Sequence, residues 1–286
     1  MQYRLVSHIL ESSTIDMGSF QVKQPLPSQK VPQISPFLLL HHFGPIKVEP
    51  GFDPIDLGPH PHRGFEPVTF LYQGGLRHKD SLGNEGILEA GDIQWMTAGR
   101  GIIHSERASD LFMENGGIIE GIQLWVNLPA RDKMTAPKYQ EIKKENIPVI
   151  AETNVTHRLI SGTFKGQNGI IDTFSPMLII QTSLLAKGKT QLPIPENFNA
   201  CLYILSGEVI LNENFNYTSG KMIHFLKEGE GVGLEGIQDA QILILCGEPI
   251  EEPLAQYGPF VMNSQTEILQ AMRDYQMGKM GVLIED

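Results

Sequence analysis

Short apolar segments, each closed by glycine, proline or a polar turn, recur along almost the whole chain and constrain its fold more than any other feature. Residues 67–72 are followed after one residue by Gly74-Gly75, and residues 201–205 are followed after one residue by Gly207. With 29 Gly and 19 Pro among 286 residues, long helices have little room. Strands of this length and spacing are typical of a β-sandwich or barrel. Because the chain is longer than one small core usually organises, we expect an all-β protein of two domains.

Two pairs of metal-ligating residues stand two positions apart. The first pair is His60 and His62, and the second is His104 and Glu106. Residues two apart in a strand project from the same face, so each pair shares one face. If the two segments are neighbours in one sheet, three imidazoles and a carboxylate converge. This donor set suits a divalent first-row transition metal, and we therefore predict a metal site.

A second carboxylate competes for the same place. Glu66 follows His62 by four positions, so strand parity places it on the ligand face as well. One of Glu66 and Glu106 can bind the metal while the other supports a ligand by hydrogen bonding. Other histidines have weaker claims: at most one of the adjacent His41 and His42 can face the metal, and a loop or surface role is favoured for both. His78 is predicted to be exposed on a hairpin.

Charge and composition exclude several classes of function. Lys and Arg total 22 against 33 Asp and Glu, a net charge of −11, so we expect neither direct nucleic-acid binding nor docking on an anionic membrane. Cys201 and Cys246 lie in apolar runs and are predicted to be buried free thiols, which fits a reducing compartment. The N-terminus lacks the long apolar core of a signal peptide, and we see no run of 18 apolar residues. We expect a cytoplasmic protein.

The two halves of the chain resemble each other weakly. Residues 70–74 align with residues 203–207 at an offset of 133. On that offset the first histidine pair corresponds to Pro193 and Pro195, and a second match at a glycine turn places Gly233 opposite the third histidine. If the duplication is real, only the first half binds metal. Near the end of the chain, Ser264 and Glu267 form a capping box that predicts a short amphipathic helix.

Several stretches resemble the pirin family of the cupin superfamily. Residues 60–66 read HPHRGFE and residues 91–106 read GDIQWMTAGRGIIHSE, while residues 247–250 and 257–263 are similar to the family's C-terminal signature. The resemblance spans essentially the whole chain. It implies two jelly-roll cupin barrels packed face to face (a bicupin) with a short C-terminal helix. We assign residues 1–135 to an N-terminal metal-binding barrel and residues 136–286 to a C-terminal barrel without metal ligands.

The resemblance also implies a ligand set. In pirins three His and one Glu hold iron, and these positions match His60, His62, His104 and Glu106, which favours Glu106 over Glu66 as the ligand. We expect Fe(II), with Mn, Co, Ni, Cu or Zn as alternatives, since such a site accepts several ions. The family motif carries an acidic residue where this chain has His41, so substrate preference here can differ.

Two functions are associated with the family. Some members resemble quercetin 2,3-dioxygenases, which open the central ring of a flavonol with O₂ and release CO. Eukaryotic members are also described as regulatory proteins of the transcriptional coregulator type that respond to iron redox state. For the enzyme we expect a flavonol-like aromatic substrate, O₂, a monomeric protein, and Glu106 or Glu66 as general base. The third possibility is a metal that only braces the barrel.

Overall fold

A computed structural model of the protein describes residues 1–285. The chain divides into two compact units, and each unit draws on more than one segment. One unit comprises residues 14–22, 39–144 and 250–286, and the other comprises residues 1–13, 23–38 and 145–249. The units therefore do not coincide with the ranges 1–135 and 136–286 expected from sequence. The main boundary lies nearby, at residues 144 and 145, but each terminal segment belongs with the other half of the chain.

The first half of the chain forms short strands, one helix and one 3₁₀ turn. The strands are β1 (Val6–Glu11), β2 (Ser13–Asp16), β3 (Gln21–Leu26), β4 (Phe37–Val48), β5 (Leu57–His62), β6 (Phe65–Gln73), β7 (Gly75–Asp80), β8 (Glu85–Glu89), β9 (Ile93–Thr97), β10 (Ile102–Ala108), β11 (Gly117–Asn127) and β12 (Lys138–Ile142). The helix α1 (Asp110–Asn115) follows β10, and the 3₁₀ turn (Ala130–Asp132) follows β11.

The second half repeats this pattern. A 3₁₀ turn (Lys144–Asn146) precedes its strands. The strands are β13 (Val149–Glu152), β14 (Val155–Ser161), β15 (Thr163–Phe164), β16 (Gln167–Asn168), β17 (Met177–Leu184), β18 (Lys189–Pro193), β19 (Asn199–Ser206), β20 (Glu208–Leu211), β21 (Phe215–Thr218), β22 (Lys221–Phe225), β23 (Gly231–Gly236), β24 (Ala240–Gly247), β25 (Ala255–Tyr257) and β26 (Phe260–Met262). The helix α2 (Gln265–Gln276) comes last.

The strand orders confirm the all-β prediction and reveal the duplication. A large sheet has the order β12-β9-β6-β11-β4-β3-β2, and a smaller sheet beside it has the order β5-β10-β7-β8. The second half gives a large sheet β1-β22-β19-β24-β17-β14-β13 and a smaller sheet β18-β23-β20-β21. Each large sheet and its smaller partner form a jelly-roll barrel. The N-terminal strand β1 pairs with β22 as β12 pairs with β9, which explains why the first residues belong to the second barrel's unit.

The strand registers correct the sequence overlay. In the first barrel His104 pairs with His60, whereas in the second barrel Gly233 pairs with Gln191. His60 therefore corresponds to Gln191 and His62 to Pro193, two positions earlier than the alignment suggested. The described part of the second barrel thus carries no imidazole at these equivalent positions.

Each barrel has its own apolar core. Phe20, Phe43, Leu71 and neighbouring residues fill the first, and a larger group that includes Leu202 and Ile244 fills the second. Cys201 and Cys246 are free and buried, as predicted.

The helix α2 begins at the predicted capping box, where the Ser264 hydroxyl accepts a hydrogen bond from the Glu267 amide at 3.3 Å. Its buried residues include Ile268 and Ala271, which pack against the last strands of the chain. Within residues 1–285 we find no helix that is both long and apolar enough to span a membrane.

Candidate metal centre

Three histidines meet where β5 and β10 pair. The antiparallel register sets His104 opposite His60 and Ile102 opposite His62. One potential ligand nitrogen from each of the three imidazoles lies within 4.8 Å of the others, and the ring centroids are 4.3–4.8 Å apart. The structure thus brings the two separated segments together in one sheet, which is the condition on which the predicted site depends.

Glu106 lies next to His104 on the same face of β10. One of its oxygens lies within 4.8 Å of ligand nitrogens of His104 and His78, in a second buried group that overlaps the three histidines at His104. Its Oε1 accepts a hydrogen bond from Gln94 Nε2 at 3.0 Å and its Oε2 accepts one from Gln123 Nε2 at 3.2 Å. The Thr69 hydroxyl lies 3.1 Å from Oε1. Neighbouring strands therefore fix this carboxylate beside the histidines.

Glu66 is not brought into either group. The strand ends at His62 and a new one begins at Phe65, with Gly64 between them at φ +85°. This break defeats the parity argument, because alternation holds only within a continuous strand. Glu66 instead accepts a hydrogen bond from the Thr97 hydroxyl at 2.7 Å and does not line the cavity at the histidines.

The surroundings of two of the three imidazoles favour their neutral form, which is the form that binds metal ions. Burial lowers the pKa of both His62 and His104 well below the usual value, and the neighbouring histidines lower it further. The His60 Nδ1 lies 2.8 Å from the Gly58 carbonyl oxygen, so Nδ1 donates there and Nε2 is left as the ligand atom. Among the described residues, neither His62 Nδ1 nor His104 Nε2 has a hydrogen-bond partner.

Buried nitrogens without partners normally carry a large energetic cost. A divalent transition metal bound by the three imidazoles would give these atoms a partner, and the carboxylate beside them would balance part of its charge. The residues present therefore fit a metal ion.

The turn after His62 is held by the C-terminal segment of the same unit. The Arg63 amide donates to the Pro259 carbonyl at 3.2 Å, and the Val261 amide donates back to the Arg63 carbonyl at 3.0 Å. The Arg63 guanidinium donates to Asp274 in α2 at 2.9 Å. Lys133 links the same two segments, because its buried ammonium donates to the carbonyls of Gly64 and Val261. Residues 259–274 and Lys133 thus hold the turn that follows His62 in the candidate site.

A cavity of about 390 Å³ opens at the histidines. Its apolar wall is formed by Met17, Phe20, Val22, Phe43, Ile55, Leu57, Leu76 and Trp125. Its polar lining includes His41, Asp56, His60, His62, Thr69, Glu106 and Gln123. Pockets of this size and character accept small organic ligands that bury most of their surface.

Some residues near the centre were missed or misplaced from sequence. His78 is 1% exposed rather than exposed on a hairpin, and it stacks on Tyr139. His42 is buried and lies 3.1 Å from Glu120, while His41 lines the cavity, so the surface role favoured for both is wrong. Burial lowers the pKa of His41 to about 4. The Gly-Gly turn before His78 indicates a hairpin but does not indicate which face of it is covered.

Paired strands of a jelly-roll barrel that present several imidazoles to a cavity define a cupin-type protein with a candidate metal site. Comparisons with known proteins identify the family. Residues 19–126 match the Pirin family, and residues 179–281 match the Pirin C-terminal cupin domain. The chain belongs to the pirin family.

Relatives and solved structures agree with this assignment. A pirin-like protein of Solanum lycopersicum is 38% identical over 264 residues, covering 91% of this chain and 87% of that protein. The pirin of Homo sapiens is 36% identical over 266 residues, covering 91% of this chain and 88% of the human protein. A crystal structure of quercetin 2,3-dioxygenase from Acinetobacter baumannii has a TM-score of 0.92 at 38% identity, covering 99% of this chain and 100% of that one.

Proposed function

We propose that this protein is a metal-dependent dioxygenase that cleaves flavonols such as quercetin with O₂ and releases CO. The observation that carries the proposal is an apolar cavity of about 390 Å³ lined by His60, His62 and Glu106. The similarity in fold and sequence to a quercetin 2,3-dioxygenase supports the same activity. We propose His60, His62, His104 and Glu106 as the metal ligands, with Fe(II) as the ion and Mn, Co, Ni, Cu or Zn as substitutes.

The cavity suits a flat aromatic substrate. Its volume falls within the range of about 300–1,000 Å³ for small-molecule sites. Aromatic and aliphatic walls such as Phe20, Phe43 and Trp125 offer surface on which fused rings can pack. The alternative of an iron-dependent interaction module, raised by the sequence, has no need of such a cavity.

Glu106 is the residue best placed to move a proton. When bound, a divalent metal would supply Lewis acidity that favours the ionised form of the substrate's 3-hydroxyl. Glu106 lines the cavity and would accept that proton as general base. Gln94 and Gln123 hold its two oxygens in place, so the acceptor does not need to reorganise.

The hydroxyl of Thr69 can donate a hydrogen bond to either Glu106 or Gln123. It lies 3.1 Å from Glu106 Oε1 and 2.9 Å from Gln123 Oε1, and its single proton can serve only one of them at a time. A proton taken up by Glu106 can therefore be accommodated by turning the threonine toward Gln123. Apolar side chains around the cavity would exclude water from the bound substrate.

The test is to load the protein separately with Fe(II), Mn(II), Co(II) and Ni(II) under air and to follow the loss of flavonol absorbance. We expect turnover with at least one ion and release of CO. Full metal occupancy without turnover for any ion would refute the proposal. The substitution His62→Ala serves as the matched control, because it should remove both the metal and the activity.

A further inference from the structure

A histidine that the proposed function does not use lies directly behind the metal centre. His78 is 1% exposed, and its Nδ1 is 3.4 Å from the Nδ1 of His104. Its ring stacks on Tyr139 with the centroids 4.4 Å apart and the planes at 12°. The pairing of β7 with β10 sets His78 opposite Glu106 and Asp80 opposite His104. Sheet register, rather than a mobile loop, therefore fixes the position of His78.

The position of the proton follows from which nitrogen of His104 is free to bind metal. Its Nδ1 faces His78, while its Nε2 is buried and has no hydrogen-bond partner in the described chain. A neutral imidazole carries one proton, so a ligand at Nε2 requires the proton on Nδ1. His104 Nδ1 then donates to His78 Nδ1, which must be the acceptor. The proton of His78 consequently resides on its Nε2.

The far side of His78 faces a carboxylate. Its Nε2 lies 3.6 Å from Asp80 Oδ2, beyond hydrogen-bond distance, and has no hydrogen-bond partner among the described residues. Asp80 is itself fixed by the tight turn that follows β7, because its Oδ1 accepts from the amides of Leu82 and Asn84 at 2.9 and 3.0 Å. The Asn84 side chain donates to Oδ2 at 2.8 Å. The carboxylate is therefore held against the imidazole rather than free to turn away.

We propose that His78, stacked on Tyr139, is a positioning residue that fixes His104 in the tautomer and orientation required for metal binding. The inference rests on the proposed metal centre and assigns to it a supporting histidine. Partners of this kind typically contribute about 10–100-fold to metal affinity, because they hold a ligand's ring and proton in place. His78 lies outside the group formed by His60, His62 and His104, and its Nδ1 faces His104, so we assign it a supporting role through His104.

Two substitutions separate the hydrogen bond from simple packing. The variant His78→Phe keeps an aromatic ring against Tyr139 but removes the acceptor. The variant His78→Asn removes the ring but keeps a side-chain oxygen at the position of Nδ1. Co(II) affinity is measured by competition with a chelator, and the visible absorption of bound Co(II) reports the coordination geometry. Flavonol turnover is measured in parallel on protein loaded with the ion that supports it.

We expect His78→Phe to weaken Co(II) binding by about 10–100-fold and to alter the spectrum, and His78→Asn to recover most of the loss. The control His157→Phe changes a buried histidine of the second barrel and should leave Co(II) binding unchanged. Affinity and spectrum of His78→Phe equal to those of the unsubstituted protein would overturn the inference, even if flavonol is cleaved. Two Co(II) ions per chain, one of them lost with His78, would also overturn it. Weakened binding without flavonol cleavage by the unsubstituted protein would support the inference and refute the proposed enzyme.

Discussion

At the scale of single residues, the two carboxylates that the sequence placed on the ligand face, Glu66 and Glu106, are both buried but occupy different environments. Glu106 lies among hydrogen-bond donors and lines the cavity. Glu66 lies on the face of β6 opposite to that of Thr69, where it receives one hydrogen bond from Thr97. Burial raises the pKa of Glu66 to about 7, and the Thr97 hydroxyl opposes this only in part. We therefore expect the two residues to differ in their role in activity and in their contribution to the free energy of unfolding.

The functional difference can be measured with isosteric variants. Glu106→Gln removes the proposed proton acceptor and also a proposed carboxylate ligand, so its activity is compared only after metal loading; loss of a general base typically lowers the rate by about 10²–10⁴-fold. Glu66→Gln keeps an acceptor for Thr97 and should retain nearly full activity. The measurement is kcat for flavonol loss at equal metal occupancy. Equal losses in the two variants, or a larger loss in Glu66→Gln, would contradict the assignment of the base.

The stability difference should depend on pH. Because the carboxyl pKa of Glu66 rises from an ordinary 4.5 to about 7 on folding, the folded state binds this proton more tightly than the unfolded state. The Glu66 contribution to the free energy of unfolding is therefore lost as pH rises from about 4.5 to 7. At about 1.4 kcal/mol per pH unit, ionisation costs about 3 kcal/mol above pH 7.

Denaturant unfolding of the protein and of Glu66→Gln at pH 5 and pH 8 checks this pH dependence. We expect the variant to be nearly as stable as the unsubstituted protein at pH 5 and clearly more stable at pH 8. A stability difference that does not change with pH would show that Glu66 has an ordinary pKa.

At the scale of elements, the first histidine pair depends on the turn that joins β5 to β6. The alternation of His60 and His62 could be read from the sequence, because it is a local property of a strand. The break at Gly64 could not be placed with certainty, since a glycine is compatible with both a strand and a turn. The burial of His78 was likewise hidden, because strand alternation separates two faces without indicating which one is covered.

The turn can be tested with a matched pair of glycines. A Cβ on Gly64 would lie 1.9 Å from the Val261 carbonyl oxygen, whereas Gly51, with a similar φ of +84°, has open space around it. Both Gly→Ala substitutions incur about 1–2 kcal/mol of left-handed backbone strain. Gly64→Ala should cost about 1–3 kcal/mol more from the collision and should also weaken metal binding.

Thermal unfolding and chelator competition provide the two readouts for these glycine variants. If Gly64→Ala and Gly51→Ala were equally stable and bound metal equally well, the contacts between the C-terminal residues and the turn after His62 would not control the position of His60 and His62.

At the scale of the whole chain, two barrels share one strand plan, but within residues 1–285 the cluster of three imidazoles lies in the first barrel. The all-β class, the weak duplication and the short final helix were all visible in the sequence, because they follow from local periodicity, glycine turns and a capping box. The sequence did not show that residues 1–13 belong with the second half of the chain, or that the segment from residue 250 onward belongs with the first half. The pairing of Val6 with Phe225 joins residues that are 219 positions apart in the sequence, and no local pattern reports such a contact.

The register of the second barrel illustrates the same limit. The sequence overlay matched His60 with Pro193, whereas strand pairing matches it with Gln191. A shift of two positions preserves the face of every side chain, so the alternation pattern alone cannot detect it. Either alignment gives the second barrel no histidine pair, and we expect metal binding in the first barrel alone.

Metal stoichiometry tests this arrangement. Elemental analysis of the purified protein after loading should give one transition-metal ion per chain, and His62→Ala should give none. Two ions per chain, or one ion that remains in His62→Ala, would contradict a single site built from the paired strands β5 and β10.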